Sequence, residues 1–139
     1  MNDRYLYRAK RKNWRELPKE MWWVEGYYAY FKQNDNHCIY YETDGFTLVC
    51  DIDISTLCAC TGLKDKNGKM IWENDIMVAH LDDSFPEDTT YARVVWNNNG
   101  FCTKEQGSED ISPLDKFDQE YFEVCGNIFD NPELLEVGE

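Results

Sequence analysis

The stretch TGLKDKNGKMIWENDI, Thr61–Ile76, decides the fold class, because turn residues lie between short apolar runs throughout it. Asn67-Gly68 indicates a tight turn between two strands, since the central residues of such turns often need positive φ. Aspartate and asparagine in turns bond to nearby backbone N–H groups, so we interpret the polar residues of this stretch as architecture. The predicted structural turn residues are Asp65, Asn67, Gly68, Asn74 and Asp75.

On the N-terminal side of this stretch, Met21–Phe31 (MWWVEGYYAYF) is the clearest strand. Alternate residues of a strand point to opposite faces, and both faces of this strand are largely apolar. We therefore expect either burial on both sides or a partner subunit on one side. Aromatic side chains dominate the energetics of protein interfaces. The candidate interface residues are Trp22, Trp23, Tyr27, Tyr28 and Tyr30.

Further short strands are predicted along the chain. They lie at Tyr5–Lys10, Cys38–Tyr41, Phe46–Ile54, Leu57–Cys60, Ile76–His80, Ala92–Trp96, Phe101–Lys104 and Glu123–Ile128. The acidic segment Asp82–Asp88 and the polar segment Gln106–Gln119 are interpreted as loops, the second of them mobile, and Asn97–Gly100 as a second tight turn. Asn131 is a predicted cap for a short C-terminal helix that starts at Pro132. Short strands joined by tight turns indicate a mainly β protein built as a small β-barrel.

The bulk properties of the chain indicate a folded protein. Its 139 residues fit one compact domain, or a small barrel with an appended element. Apolar residues make up 42% and aromatic residues 15%, which argues against disorder. No apolar run approaches the ~20 residues of a membrane span, and the N-terminus lacks the apolar core of a signal peptide. We therefore expect a cytoplasmic protein without a membrane partner, whose six cysteines are reduced thiols.

Charge is distributed unevenly along the chain. The first 19 residues hold seven of the 14 lysine and arginine residues and two acidic residues, whereas the net charge of the whole chain is −13. Cations next to the aromatic Trp14 are typical of a nucleic-acid-binding arm, and the alternative is a solvated hairpin that balances acidic neighbours. Charge repulsion is screened only beyond ~8 Å, so the acidic remainder disfavours bound nucleic acid. The candidate arm residues are Arg8, Lys10, Arg11, Lys12 and Arg15.

The chain resembles the YopX family of phage and prophage proteins over most of its length. The matching segments are Arg8–Arg11, Trp23–Tyr27, Thr61–Gly68, Ile71–Ile76, Val94–Trp96 and Gly126–Leu135. The resemblance is strongest at Thr61–Ile76 and Gly126–Leu135. It implies an SH3-like small β-barrel over residues 49–139 with a short C-terminal helix, and an N-terminal β-hairpin element over residues 1–48. It also implies a phage or prophage origin, but it supplies no activity.

One position departs from the family pattern. The family usually has glycine between the glutamate and the aspartate of its central signature, where this chain has Asn74. Glycine at such a position indicates a corner with positive φ, and asparagine is the next-best residue for that conformation. We therefore predict that Asn74 is left-handed.

Cys58 and Cys60 are candidates for metal binding, because side chains two residues apart on a strand share a face. Two more ligands would be needed, and Cys50 or His80 are the available choices. Zinc sites, however, usually place two residues between paired cysteines. We therefore interpret both thiols as small buried apolar side chains, with no metal site.

Asp51 and Asp53 have the same spacing, and paired carboxylates act in acid–base catalysis or hold a metal. No third acidic residue completes a motif, so turn caps or a solvated strand face are the preferred interpretation. His37 is expected in an exposed turn, and His80 at the end of a strand. The sequence has no nucleophile elbow, phosphate-binding loop or dinucleotide fingerprint, so no catalytic residue and no cofactor are predicted.

Three function classes follow. The preferred one is a non-enzymatic phage or prophage protein that acts in the bacterial host cell through protein–protein contact, as a homo-oligomer or with a host protein. The second is a nucleic-acid-binding barrel that uses Arg8–Arg15, or an acidic mimic of nucleic acid that binds a host protein. The last is an enzyme that uses the aspartate and cysteine pairs as a metal-assisted site.

Overall fold

A computed structural model describes residues 6–80, 89–97 and 100–135. Three sequence-based predictions fall wholly or partly outside these residues. They are the acidic loop Asp82–Asp88, the tip of the Asn97–Gly100 turn and the start of the first strand at Tyr5. The side chain of His80 also lies outside the described part of the structure.

The chain divides into two compact units, Met1–Cys60 and Thr61–Glu139. The sequence-based division at residue 48 differs from this boundary, because residue 48 lies inside a strand that is paired with its neighbour along its whole length. The boundary at residue 60 leaves that hairpin intact and places the Thr61–Ile76 stretch at the start of the C-terminal unit.

The N-terminal unit is an antiparallel sheet in the order β4-β3-β2-β1-β5. Its strands are β1 (Tyr7–Lys10), β2 (Trp23–Phe31), β3 (Asn36–Thr43), β4 (Phe46–Asp51) and the first part of β5 (Cys58–Lys64). Short 3-10 turns occupy Trp14–Glu16, Lys19–Met21, Lys32–Asn34 and Ile54–Thr56. The β3–β4 connection is a two-residue turn in which Asp44 and Gly45 both have positive φ, 51° and 82°, as right-twisted hairpins require.

One face of this sheet forms the core of the unit, around Ala9, Val24, Ile39 and Ile52. The sheet packs tightly at Gly26 of β2, where an added Cβ would lie 2.0 Å from the carbonyl oxygen of Tyr40. The expected burial of β2 on both faces is not observed. Val24 and Gly26 are buried on one face, whereas Glu25 and Tyr27 on the other face are exposed.

The C-terminal unit contains the second part of β5, which is followed by its neighbour in the sheet, β6 (Met70–Trp72). A five-stranded antiparallel sheet follows in the order β10-β9-β8-β7-β11. Its strands are β7 (Asp75–His80), β8 (Thr89–Asn97), β9 (Gly100–Glu105), β10 (Ile111–Pro113) and β11 (Glu123–Asn127). In the described residues this sheet has β10 and β11 as its edges and does not close into a barrel. The protein is mainly β, as predicted.

The core of this unit contains Ile71, Met77, Ala92, Val94 and Phe122, all buried. In β8 the buried residues Ala92 and Val94 alternate with half-buried ones, which is the pattern of a strand with one buried face, whereas β7 is buried on both faces from Asp75 to Ala79. The signature stretch supplies Ile71, the β6 member of this core. It therefore contributes hydrophobic packing as well as turns.

The segment Gln106–Gln119 is not the mobile loop that its polarity suggested. It contains β10 and the start of a short α-helix, α1 (Lys116–Tyr121). Asp115 caps this helix: its side chain accepts from the N–H of Asp118, and the Asp118 side chain accepts from the N–H of Asp115. This reciprocal capping box uses two aspartates where glutamate is usual at the second position, which is why the sequence pattern was missed.

The predicted C-terminal helix is present as a single 3-10 turn, Pro132–Leu135, in which the Leu134 N–H bonds to the Asn131 carbonyl. None of the helices in the described part of the chain combines the length and the apolar character needed to cross a lipid bilayer.

Candidate functional site

The basic segment of the N-terminal unit surrounds a buried lysine with tryptophans. Lys10 is only 2% exposed, although its side chain carries a charge. Its Nζ lies 3.8 Å from the ring centre of Trp14, 4.4 Å from that of Trp22 and 5.6 Å from that of Trp23. We call these four residues the lysine–tryptophan cluster. Indole faces carry partial negative charge and attract an ammonium group, so the cluster is a built cation–π site occupied by a side chain of the protein.

The tertiary structure assembles this cluster from three elements. Antiparallel pairing of β1 with β2 places Lys10 directly opposite Trp23. Trp14 and Trp22 come from the connection between these strands and contact each other edge to face, with ring centres 4.8 Å apart. Their indole N–H groups donate to Asp53 Oδ2 at 3.2 Å and to the Leu17 carbonyl at 2.9 Å. Both ring orientations are therefore fixed by hydrogen bonds.

The arginines of the segment, like Lys10, lie against aromatic rings of the same unit. The Arg8 guanidinium lies 4.9 Å from the Trp23 ring centre, and that of Arg15 lies 4.3 Å from the Trp14 ring centre. Arg11 donates to the Met21 carbonyl at 2.9 Å and lies 5.8 Å from the Tyr41 ring centre. The segment therefore places four of its five cationic side chains against aromatic rings of this unit. Only part of it, such as the exposed Lys12, faces solvent.

The predicted interface aromatics divide into three groups. Trp22 and Trp23 hold Lys10, so their faces are occupied within the chain. Tyr27 and Tyr30, by contrast, are 39% and 47% exposed. Tyr28 lies on the core face, where its hydroxyl pairs with a His37 ring nitrogen at 2.6 Å. Burial raises the pKa of Tyr28.

His37 does not lie in an exposed turn, as was expected, but in β3 and half buried. Its ring stacks on Tyr28 and Tyr30, with ring centres 5.9 Å and 4.7 Å away. Tyr30 in turn donates to Asp35 Oδ1 at 2.7 Å, and this hydrogen bond raises the pKa of the Tyr30 hydroxyl. The histidine is thus part of a stacked structural group on one end of the sheet.

The strand predicted at Phe46–Ile54 is present as β4, but its exposure to solvent was not predicted. In β4, Phe46 is 69% exposed, Leu48 41% and Val49 52%. The strand lies at the end of the sheet, so its apolar side chains and one backbone edge both face solvent. The run of apolar residues was visible in the sequence, as was the Asp44-Gly45 turn signal before it. Its position at the sheet edge was not visible, because strand order depends on the fold.

The signature residues of the C-terminal unit hold backbone groups in place. Asp65 is buried and accepts three backbone N–H groups: Oδ1 accepts those of Asn67 and Lys69 at 2.9 Å each, and Oδ2 accepts that of Val124 at 2.8 Å. The Gly68 N–H also bonds to the Asp65 carbonyl. Gly68 has φ 81°, whereas Asn67 does not adopt positive φ. The turn is therefore a three-residue loop that ends in a left-handed glycine, and not the two-residue turn that Asn67-Gly68 suggested.

Asn74 is left-handed with φ 70°, as predicted. Its N–H donates to the Val94 carbonyl at 2.8 Å, and its side-chain oxygen accepts from Arg93 at 2.9 Å. The adjacent Asp75 is completely buried and accepts from the Trp72 N–H at 2.8 Å. In these bonds the signature residues hold backbone groups in place.

The residues considered for chemistry have structural partners. Cys58 and Cys60 are both buried, as expected of small apolar side chains. Asp53 caps the 3-10 turn at Ile54–Thr56, and its hydrogen bond with the Ser55 hydroxyl lowers its pKa. A hydrogen bond from Asn36 lowers the pKa of Asp51. Across the residues that the structure describes, no three His, Cys, Asp or Glu side chains are grouped so that they could hold a metal ion.

Comparison with known proteins gives a family and a similar fold. A family model described as YopX protein matches residues 6–136. No curated protein sequence matches the chain. A solved structure, the crystal structure of protein EF1440 from Enterococcus faecalis, has a TM-score of 0.53 and 20% sequence identity, covering 95% of this chain and 97% of that chain. At this identity the likeness concerns the fold alone.

Proposed function

The chain belongs to the YopX family, and from this premise we propose that it is a phage or prophage protein without enzymatic activity. In this proposal it acts in the cytoplasm of the bacterial host through protein–protein contact, by self-assembly or with a host protein. We also propose an SH3-like arrangement for the C-terminal unit, which the β7-β8-β9 meander and the return of β11 beside β7 support.

The observation that carries the proposal is the exposed apolar surface of the N-terminal unit. The side chains at least one-third exposed include Tyr27, Tyr30, Phe31, Phe46, Leu48 and Val49. By the register of the strands, Tyr30, Phe46 and Leu48 lie on one face of the sheet, and Tyr27, Phe31 and Val49 lie on the other. Exposed apolar side chains grouped on a sheet face are candidate interaction sites. Contact with another protein would remove this surface from water, and burial of apolar area stabilises such a contact by roughly 25 cal/mol for each Å².

The nucleic-acid alternative has less support. Binding to phosphates needs accessible cationic groups, and among the candidate arm residues Lys10 is buried and Arg8 half-buried against tryptophan rings, whereas Lys12 and Arg15 are exposed. The net charge of −13 opposes it further. An acidic mimic of nucleic acid would also act through protein contact, and its partner would be a host protein with a basic cleft.

The test measures mass in solution by light scattering over a range of micromolar concentrations, together with capture of partners from host-cell lysate with and without nuclease. We expect a mass above the 16.5 kDa of one chain, or a stoichiometric protein that survives nuclease treatment. A monomer without such a partner contradicts the proposal. Salt-dependent binding to DNA would support the nucleic-acid alternative. Its affinity should fall by about 0.9 log units per phosphate contact for each log unit of salt concentration.

A further inference from the structure

β4 carries an open backbone edge. It is the terminal strand of its sheet in the described residues, and only its β3 side is paired. Beyond Cys50 the outer edge is covered, because the Lys12 N–H bonds to the Asp51 carbonyl at 2.9 Å and the Asp53 N–H bonds to the Lys10 carbonyl at 2.9 Å. The open part of the edge is therefore the five-residue stretch Phe46–Cys50.

The hydrogen-bond pattern of the hairpin shows which groups point outward. The two-residue turn at Asp44-Gly45 makes Thr43 and Phe46 a hydrogen-bonded pair, and such pairs recur at every second residue. The Ile52 N–H bonds to the His37 carbonyl at 3.1 Å, which fits this series because Ile52 follows Cys50 by two residues. Phe46, Leu48 and Cys50 therefore bond to β3, whereas the N–H and C=O groups of Thr47 and Val49 face away from the sheet.

The side chains along this edge lack the usual protection of an edge strand. Natural sheets use lysine, proline, bulges or a covering element to prevent an exposed edge from pairing with another strand. Phe46–Cys50 (FTLVC) contains no charge and no proline, and its pairing with β3 is regular throughout. Phe46 and Leu48 lie on the same face as the buried Ile39, so they extend the core face of the sheet into solvent.

We propose that a second copy of this chain pairs with the β4 edge, antiparallel and about a two-fold axis at Leu48. The proposal rests on self-assembly as the proposed function. In this register Thr47 of one copy pairs with Val49 of the other, and their four outward N–H and C=O groups on each copy form the new ladder. Leu48 lies opposite Leu48 of the second copy, and Phe46 lies opposite Cys50.

The composition of the edge favours a second copy over an unrelated partner. A two-fold contact requires one surface to complement itself, and in this register F-T-L-V-C places Leu48 opposite Leu48 and Phe46 opposite Cys50, with no charged side chain in any pair. Two chains of net charge −13 repel each other over most of their surface, but this stretch adds no charge to the contact. The register also brings the exposed Asp44 of one copy toward the exposed Lys12 and Asp51 beside the other edge, so one opposite and one like charge meet it at each end.

Disulfide trapping tests the register. Leu48→Cys places two thiols in a non-hydrogen-bonded pair, where the Cα atoms of facing residues are ~4.5 Å apart and a disulfide fits. In the control Thr47→Cys, the two copies of residue 47 lie diagonally, ~8 Å apart, which is too far for a bridge. Both variants carry Cys125→Ser, which removes the exposed native thiol. On mild oxidation we expect covalent dimers of the Leu48 variant and at most traces with the Thr47 control.

A charge variant tests the contact without cross-linking. Leu48→Asp places two carboxylates opposite each other, and we expect the dimer to dissociate at least about tenfold more readily in sedimentation experiments. Ile54→Asp, at an apolar residue that is 43% exposed outside β4, makes the same change in charge and should leave the dimer intact. Circular dichroism checks that both variants are folded.

The outcomes separate this inference from the proposed function. An oligomer that is insensitive to Leu48→Asp, together with equal trapping of both cysteine variants, overturns β4 pairing but leaves self-assembly standing. A wild-type chain that is monomeric up to high micromolar concentration overturns self-assembly through any surface. If that monomer still captures a host protein, the proposed function survives and the β4 pairing does not.

Discussion

The two units of this protein bury charged side chains in opposite ways. The N-terminal unit buries an ammonium group, that of Lys10, against the faces of three tryptophans. The C-terminal unit buries carboxylates, those of Asp65 and Asp75, against backbone N–H groups. Both arrangements compensate the loss of water around a charge, which is the condition for burying one.

The residues that fix the backbone of the signature stretch and the apolar residues exposed for contact also lie in different units. The carboxylates of the C-terminal unit fix the path of the backbone through the signature stretch, so that stretch specifies a fold. The cationic groups of the N-terminal unit occupy its tryptophans, which leaves the tyrosines and the β4 edge as its free apolar surface. A signature can therefore identify a family while the surface available for contact lies in another part of the chain.

The largest change in stability that we expect is in the C-terminal unit and comes from Asp65→Ala. The change removes the acceptor of three backbone N–H groups in partly buried hydrogen bonds, and hydrogen bonds to charged groups contribute roughly 1.5–3 kcal/mol each. We expect a loss of about 4 kcal/mol in the free energy of unfolding of the C-terminal unit. Urea unfolding followed by fluorescence, with Trp72 and Trp96 as the tryptophans of this unit, measures it.

Asp65→Asn is the matched control, because its amide oxygen still accepts from Asn67 and Lys69 while its NH₂ group faces the Val124 N–H. We expect about half the loss of the alanine variant. Equal stability of wild type and Asp65→Ala would show that the turn does not depend on this carboxylate.

A smaller effect is expected from Lys10→Met, which keeps the length of the buried side chain and removes the ammonium group from the lysine–tryptophan cluster. Desolvated cation–π contacts contribute up to about 2 kcal/mol, and part of this is returned because no charge remains to be desolvated. We therefore expect the N-terminal unit to lose about 1 kcal/mol. Lys12→Met removes the same charge from an exposed site and should change stability by less than about 0.5 kcal/mol. If the two lysine variants lose equally, the cluster has no special stabilising role.

The smallest effect is a difference in pH dependence between the units. Burial raises the pKa of Asp118 in the C-terminal unit, so the folded chain holds this proton more tightly than the unfolded chain does. The stability associated with Asp118 is therefore complete below the unfolded pKa, about 3.9, and falls as pH rises through the folded value. Hydrogen bonds lower the pKa values of Asp51 and Asp53 in the N-terminal unit, so their contribution is present above about 3.9 and is lost as pH falls through the folded values.

Asp118→Asn should accordingly gain stability relative to the wild type as pH rises from below 4 toward neutrality, while Asp53→Asn should lose it. Urea unfolding at a series of pH values measures both differences. Parallel pH profiles for the wild type and Asp118→Asn would contradict the assignment of the raised pKa to this carboxyl.

Sequence reasoning succeeded where the signal was local or strongly periodic. The left-handed conformation of Asn74, the strand at Ala92–Trp96 and the mainly β class were all predicted. It failed at Gln106–Gln119, where polarity indicated a loop but a strand and a capped helix form, because pairing with β9 stabilises a strand with little apolar character. It did not anticipate that Trp22 and Trp23, which were predicted as interface residues, enclose a lysine.

The sequence by itself determined the turns and the family, because the groups that shape a turn lie within a few residues of one another. Asp65 and the N–H groups of Asn67 and Lys69 are within four positions along the chain. Only the tertiary structure decided which aromatic rings are covered by cationic side chains and which strand lies at the edge of its sheet. Lys10 meets Trp23 because two strands pair in one register, and β4 is open because no described strand lies beyond it. Long-range pairing depends on the whole sheet, so no local pattern specifies it.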